Sequence, residues 1–238
     1  MFKAILFDLD GTLLNIDMDV FLTYYFLAMM RAAEERGYAH PKKLMEQVYR
    51  STDVMIANRD PKITNEQAFM EDFLAACSYP AAEARHFFDD FYQEFFPKLH
   101  LHTKPFPLVP SLMNSIFQQG YKVVIATNPV FPLSAVQQRI NWAGLGGFPF
   151  DLITSYENMH FTKPHPEYFG EISEMIGVAP EDCLMVGNDV DEDLPAGKTG
   201  MQTYLMEDLL IDKGQSGLLP DRRGRLEDFM IFINDQPG

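Results

Sequence analysis

The chain is poor in cysteine. Cys77 and Cys183 are the only two in 238 residues. They lie in apolar contexts, with neither the even set of a disulfide framework nor the spacing of a zinc site. Both are expected to be buried thiols in a reducing compartment. Positive charge is also scarce: 19 Lys and Arg face 34 Asp and Glu, for a formal net charge of −15. That field disfavours nucleic acid and anionic membrane as partners. An anionic substrate would need local positive charge, from a metal or from a few placed Lys or Arg. Long apolar runs are missing. The longest, residues 20–30, is broken only by Thr23; it is too short to span a bilayer and suits a buried helix. The early apolar run carries Asp8 and Asp10, which argues against a signal peptide and for a cytoplasmic location. Internal repeats and low-complexity segments are absent, which sets solenoids and long disordered stretches aside.

What is present is organised around one stretch. Ala4, Ile5, Leu6 and Phe7 read as a short buried strand, which runs straight into Asp8-Leu9-Asp10-Gly11-Thr12. Bare carboxylates are costly to bury unless a metal or hydrogen-bond donors compensate. Two of them at a strand tip therefore mark a site, and in an open parallel sheet sites form at the carboxyl ends of strands.

After Leu14 the pattern changes. Helical periodicities cover 18–36, 41–58, 64–78 and 81–96, with a capping box between Thr64 and Gln67. Aromatic side chains crowd this region and are expected to form the core of a helical bundle. Residues 100–110 hold three prolines and read as a connector. An α/β rhythm follows: helices near 110–119, 132–143, 166–177, 193–199 and 225–233, and strands at 122–126, 151–154, 183–187 and 202–206. The expected fold is α/β, a Rossmann-like parallel sheet with helices on both faces, interrupted after its first strand by an all-helical insertion. Residues 1–16 and 104–238 are assigned to the core, and 17–103 to the insertion.

The tips of these strands carry the remaining polar signals. Thr127-Asn128 follows one strand, Lys163-Pro164 precedes a helix, and Asn188-Asp189 with Asp191, Glu192 and Asp193 follows another. Converging carboxylates need a counter-charge, and a hard cation such as Mg²⁺ suits oxygen ligands. Donors for an oxyanion beside them describe phosphoryl transfer. Taken alone, Asp-Gly or Thr-Asn-Pro would read as a turn; the four stretches in order read otherwise.

In that order and spacing, FDLDGTLL, ATN, KPHPEYF and VGNDVDED resemble the four motifs of a haloacid dehalogenase superfamily hydrolase with a helical cap inserted after the first strand. The resemblance implies a Mg²⁺-dependent phosphatase acting on a small phosphorylated metabolite. It implies that Asp8 is the nucleophile that forms an aspartyl-phosphate, and that Asp10 is the general acid and base. Thr127 and the Asn128 amide would hold phosphoryl oxygens, with Leu9, Gly11 and Thr12 also on the phosphate side. Lys163 would balance the charge of Asp8. Asp8, the Asp10 carbonyl and Asp189 would ligate the metal. Asn188 is the alternative if the register shifts by one, and Asp193 would orient a water or Lys163. The acid two residues after the nucleophile argues against dehalogenase chemistry. A phosphomutase resembling β-phosphoglucomutase, or a non-catalytic protein that kept the fold, are the alternatives.

Several subsidiary expectations complete the reading. Asp191 and Glu192 are expected to be solvated. Hinges are expected near 15–19 and 100–107, and Arg59 and Lys62 are candidate cap contacts to substrate. Asn128, Arg139 and Trp142 are candidates for the pocket floor, with packing the favoured role of Trp142. Arg222, Arg223 and Arg225 are expected to form a solvated face paired with Glu227 and Asp228. The six histidines show no metal spacing. A monomer or a homodimer is expected.

Overall fold

The computed structural model describes residues 2–77 and 80–236. In chain order, β1 (Ala4–Phe7) and β2 (Leu14–Ile16) precede four helices, α1 (Met18–Glu35), α2 (Pro41–Ala57), α3 (Asn65–Ala76) and α4 (Ala81–Asp90). A π-helical turn (Phe91–Phe95) and a 3-10 segment (Phe96–His102) lead into β3 (Thr103–Pro105). Then follow α5 (Val109–Gln118), β4 (Lys122–Ile125), α6 (Leu133–Trp142), β5 (Leu152–Ile153), α7 (Pro166–Ile176) and β6 (Cys183–Gly187). A 3-10 turn (Leu194–Thr199), β7 (Gln202–Met206), β8 (Arg222–Gly224) and α8 (Leu226–Asn234) complete the chain.

Six strands form one sheet in the order β5-β4-β1-β6-β7-β8, every pair parallel. Successive side chains point to opposite faces, and helices cover both. Ile5, Phe7, Val123, Ile125, Leu184 and Val186 share one buried cluster with α5 and α8. Ala4, Leu6, Val124, Ala126, Cys183 and Met185 share another with Tyr168, Phe169 and Ile172 of α7. A strand buried on both faces carries apolar residues at every position, which is why β1 reads as a continuous apolar run. The chain adds β4 and β5 on one side of β1, then returns to add β6, β7 and β8 on the other. The order reverses at β1, so the loops leaving β1, β4 and β6 diverge around a crevice at their carboxyl ends.

Three features depart from the sequence expectations. The helix expected over 81–96 leaves α geometry after Asp90 and continues as the π turn and the 3-10 segment, with Pro97 in the first turn of the latter, where its missing N–H leaves no bond unmade. The strands β2 and β3, which overlap the segments expected as hinges, pair as an antiparallel ribbon, Leu14 opposite Pro105 and Ile16 opposite Thr103. The arginine cluster does not form a face toward Glu227 and Asp228. Arg222 and Arg223 lie in the edge strand β8, with Arg223 paired to Glu207 and Arg222 stacked 4.9 Å over Phe232. Only the Arg225 main-chain N–H reaches Asp228. Cys77 is half-buried, whereas Cys183 is buried as expected. Residue 78 of the helix expected over 64–78 lies outside the described residues.

The aromatic side chains of the helical segment pack as expected, but not as a separate core. Phe21, Tyr25, Phe91 and Phe96 belong to the same buried cluster as Phe131, Ile140 and the sheet residues Ile5 and Phe7. Trp142 takes the packing role, stacked on Phe96 at 5.4 Å. Thr64 and Gln67 form the capping box, and α3 docks by its first turn. The N–H of Asn65 donates to Met159 and that of Glu66 to Tyr156, both at 2.8 Å. The Asn65 side chain donates to the carbonyls of Pro129 and Phe161.

Candidate active site

Main-chain pairing carries β1 one residue past its formal end. The Asp8 N–H donates to the Val186 carbonyl at 2.8 Å, which fixes Asp8 at the sheet edge, 8% exposed. Lys163 enters from the loop before α7, where the Lys163–Pro164 peptide is cis. Its ammonium, fully buried, donates to Asp8 Oδ1 at 2.7 Å and to Asp193 Oδ1 at 2.6 Å. The other Asp193 oxygen accepts the Asp189 N–H at 3.0 Å. This approach needs Gly187, because a Cβ there would lie 2.0 Å from Asp193 Oδ2.

Gly11 and Thr12 build the turn. Their N–H groups donate to the Leu14 and Leu9 carbonyls, and the Thr12 hydroxyl donates to Asn188 Oδ1 at 3.0 Å. The Asn188 amide donates to the Leu209 carbonyl at 2.6 Å, so both ends of this buried side chain are engaged. Leu9 is a core side chain and can reach an anion only through its main chain. Gly11 has φ +86°, and a Cβ there would meet Asn188 Nδ2 at 2.3 Å. Gly11→Ala should therefore cost about 2 kcal/mol or more, from left-handed backbone strain plus displacement of Asn188. Chemical denaturation checks this; a loss below about 0.5 kcal/mol would contradict it.

Thr127 follows β4, 2% exposed, and its carbonyl accepts from the Thr154 and Tyr168 hydroxyls, both at 2.8 Å. That double anchor fixes the peptide leading to Asn128, whose Nδ2 donates to Glu192 Oε2 at 3.2 Å. Glu192 is thus engaged with the site rather than solvated as expected. Asp191 accepts the N–H groups of Lys213 and Ser216 and so anchors a loop. Asp189 Oδ1 accepts the N–H groups of Asp191 and Glu192, capping the turn after β6.

Asp10 is held apart from this cluster by Arg139 of α6, to which it is paired. Arg139 is 1% exposed, and its guanidinium lies 4.6 Å over the Phe131 ring. Sequence reasoning placed Arg139 on the pocket floor but missed this pairing. The signal was available: Ala135, Val136, Arg139, Ile140 and Ala143 form one buried helical stripe, and a cation inside such a stripe needs a partner. Arg59, expected at the substrate, is instead paired with Glu167 and bonded to His165 across the seam between the α2–α3 turn and α7. Lys62 is exposed on that turn.

Charge is unbalanced here. Burial pushes the Asp8 carboxyl up to about 8; Lys163 opposes the rise, while Asp193 and Asp10 add to it. Burial also raises Asp10, against Arg139, and raises Glu192 and Asp189. Burial works against the Lys163 ammonium, but Asp193 and Asp8 outweigh it and hold the lysine above its ordinary value. The carboxyl groups of Asp8, Asp10, Asp189, Glu192 and Asp193 thus outnumber the cations Lys163 and Arg139. Asp10 Oδ1 is buried without a partner. Surplus oxygen donors and surplus negative charge fit a hard divalent cation. Among the described residues no group of three or more His, Cys, Asp or Glu is arranged to hold a metal unaided. A cation that takes one or two carboxylates and completes its shell with main-chain oxygen, water and substrate fits that arrangement.

Comparison with known proteins agrees with this architecture. The family model of haloacid dehalogenase-like hydrolases matches residues 2–200. The phosphoglycolate phosphatase of Aquifex aeolicus is 28% identical over 204 residues, 85% of this chain and 84% of that one. The pyrophosphatase PpaX of Bacillus cereus is 25% identical over 201 residues, 84% of this chain and 81% of that one. The crystal structure of a predicted phosphoglycolate phosphatase from Haemophilus somnus superposes with a TM-score of 0.59 at 20% identity, covering 98% of each chain. A parallel sheet reversing at β1, acids and a lysine at its carboxyl edge and the match over residues 2–200 place the chain in one family: it belongs to the haloacid dehalogenase-like hydrolases.

Proposed function

We propose that the chain is a Mg²⁺-dependent phosphatase that hydrolyses a small phosphomonoester through an aspartyl-phosphate on Asp8. The observation that carries this reading is the separation of the two acids. Asp8 shares a buried ammonium with Asp193, whereas Asp10, two residues on, is paired with a different cation on a different element. Two carboxyl groups in unlike surroundings suit two roles.

In the first half-reaction an Asp8 oxygen attacks phosphorus. The bond to the ester oxygen breaks, and the leaving alcohol takes a proton from Asp10. In the second, Asp10 takes a proton from water, the water oxygen attacks phosphorus, and the Asp8–phosphorus bond breaks to release phosphate. The Lys163 ammonium offsets charge on Asp8 and the phosphoryl group. The Thr127 hydroxyl and the N–H groups of Leu9 and Asn128 are assigned to the phosphoryl oxygens. Asp8, the Asp10 carbonyl and Asp189 would hold Mg²⁺, with Asn188 the alternative to Asp189; Asp193 would position Lys163. When bound, Mg²⁺ supplies Lewis-acid stabilisation of the transferring group. The helical segment 17–103 would serve as a cap over the 1–16 and 104–238 core, excluding water.

The same reading has the enzyme act in the cytoplasm as a monomer or homodimer. Its charge of −15 supports leaving nucleic acid and anionic membranes aside. Phosphoglycolate and pyrophosphate, the substrates in the relatives' names, are the first to assay. Phosphate release should depend on Mg²⁺ and stop with EDTA. Interconversion of sugar phosphates without release would overturn the reading in favour of a mutase.

The raised Asp8 carboxyl gives a further expectation. Its folded value of about 8 exceeds the ordinary 3.8. The protonated form therefore contributes stability that is present at low pH and is lost as pH rises through about 8. Mg²⁺ needs the carboxylate, so metal takes the proton's place. The rise in Tm on adding Mg²⁺ should grow between pH 6 and pH 8.5, read by scanning calorimetry (about those values, bracketing the titration). A Mg²⁺ effect constant across that interval would contradict it.

A further inference from the structure

We propose that Arg139 is the receptor for a carboxylate on the leaving group of the substrate, within one or two carbons of the ester oxygen. This rests on the phosphatase reading above and adds to it the chemical class of the leaving group. The guanidinium uses only one of its nitrogens: Nη1 donates to Asp10 Oδ2, while Nε and Nη2 are buried and have no acceptor. Those two nitrogens share one edge, with parallel N–H bonds that match the two oxygens of a carboxylate. The same edge is in use at Arg36, whose Nε and Nη2 both donate to the one oxygen Asp90 Oδ2, at 3.1 and 3.0 Å. At Arg139 the edge is complete and the acid is missing.

Leaving buried charged donors unpartnered is costly, and the Arg139 side chain is packed on several sides. Its helix packs Ala135, Val136 and Ile140 into the core beside it, and the Phe131 ring lies under it. The edge is therefore pre-organised for a ligand. Its place points to the leaving group rather than to the transferred phosphoryl group. Arg139 touches Asp10, the acid that serves the ester oxygen, whereas Lys163 serves Asp8. The helical segment closes this region with the buried hydroxyls of Tyr25 and Tyr92, bonded to each other at 2.8 Å. Both are near enough to feel the charge of Arg139.

The test compares phosphoglycolate with ethyl phosphate, which has the same two carbons and no carboxylate, in wild type and Arg139→Lys. Lysine keeps a cation for Asp10 but has no fork. A charge-assisted bidentate contact corresponds to roughly 10- to 100-fold in affinity. Arg139→Lys should lose at least about tenfold more kcat/KM on phosphoglycolate than on ethyl phosphate, with the difference in KM. Equal losses on the two esters would overturn the proposal and leave Arg139 as a support for Asp10. A second arm needs no turnover: calorimetric titration with glycolate should show binding to wild type and a loss of about tenfold or more in Arg139→Lys. Equal glycolate binding by the two proteins overturns the proposal. If wild type hydrolyses neither ester, the phosphatase reading fails and the glycolate arm alone decides the role of Arg139.

Discussion

Asp8→Asn should release phosphate at least about 10⁴-fold more slowly than wild type, with no loss of stability. The amide matches the carboxylate in shape and can still accept from Lys163 through Oδ1, but it cannot attack phosphorus. The stability half of the expectation separates this from a damaged fold. Asp8 is a buried acid whose charged form is disfavoured by its surroundings, so a neutral amide relieves that cost. Without metal the variant should melt at or above the wild-type temperature at pH 8, about where Asp8 titrates. Full loss of activity with an unchanged or higher Tm is the expected pair of results. Retained activity would sink the role given to Asp8.

Lys163→Met should be the most destabilising single substitution at the site. Lysine and methionine are similar in length, so the change removes the charge and leaves little cavity. Asp8 and Asp193 then share a buried region with no cation between them. Breaking a buried pair in this way costs about 3–5 kcal/mol, or a fall in Tm of about 6–20 °C in a chain this size. Adding Asp193→Asn to Lys163→Met should recover part of the loss, because it removes a buried carboxylate left without its cation. A double-mutant cycle measures that coupling. Additive losses would show that Lys163 and Asp193 do not depend on each other.

The sequence made the sheet legible because its strands are buried on both faces. Runs such as Ala4–Phe7 and Cys183–Gly187 have no other economical reading when helices alternate with them. It made Asp8, Lys163 and Asp193 legible as a group because acids at the end of an apolar strand demand compensation. Three-residue strands were not legible. Leu14–Ile16, Thr103–Pro105 and Arg222–Gly224 carry Asn, Lys, Pro and Arg and are defined by the partner each meets, which local pattern does not encode. The helix from Ala81 carried its own warning in Pro97, yet the continuation of the chain as π and 3-10 turns depends on Phe91, Phe95 and Phe96 packing into the shared core.

The site was only half legible for a related reason. Motif spacing assigns residues to strand tips, but it does not say which cation each acid meets. Asp10 meets Arg139, 129 positions away, and Asn128 meets Glu192, 64 positions away. Charge balance at the sheet edge emerges only when these elements are placed together. Arg59 shows the converse: a loop cation suited to substrate by composition is taken up by Glu167 and His165.

The most direct test of the central claim is to trap the covalent intermediate. Asp10→Asn, which should slow hydrolysis of the aspartyl-phosphate more than its formation, is mixed with a phosphomonoester carrying a radiolabelled phosphoryl group in the presence of Mg²⁺, quenched in acid and digested. Label is expected on the peptide that contains Asp8, released by hydroxylamine as an acyl-phosphate requires. Phosphate release by the wild type with no such label in either protein would contradict it.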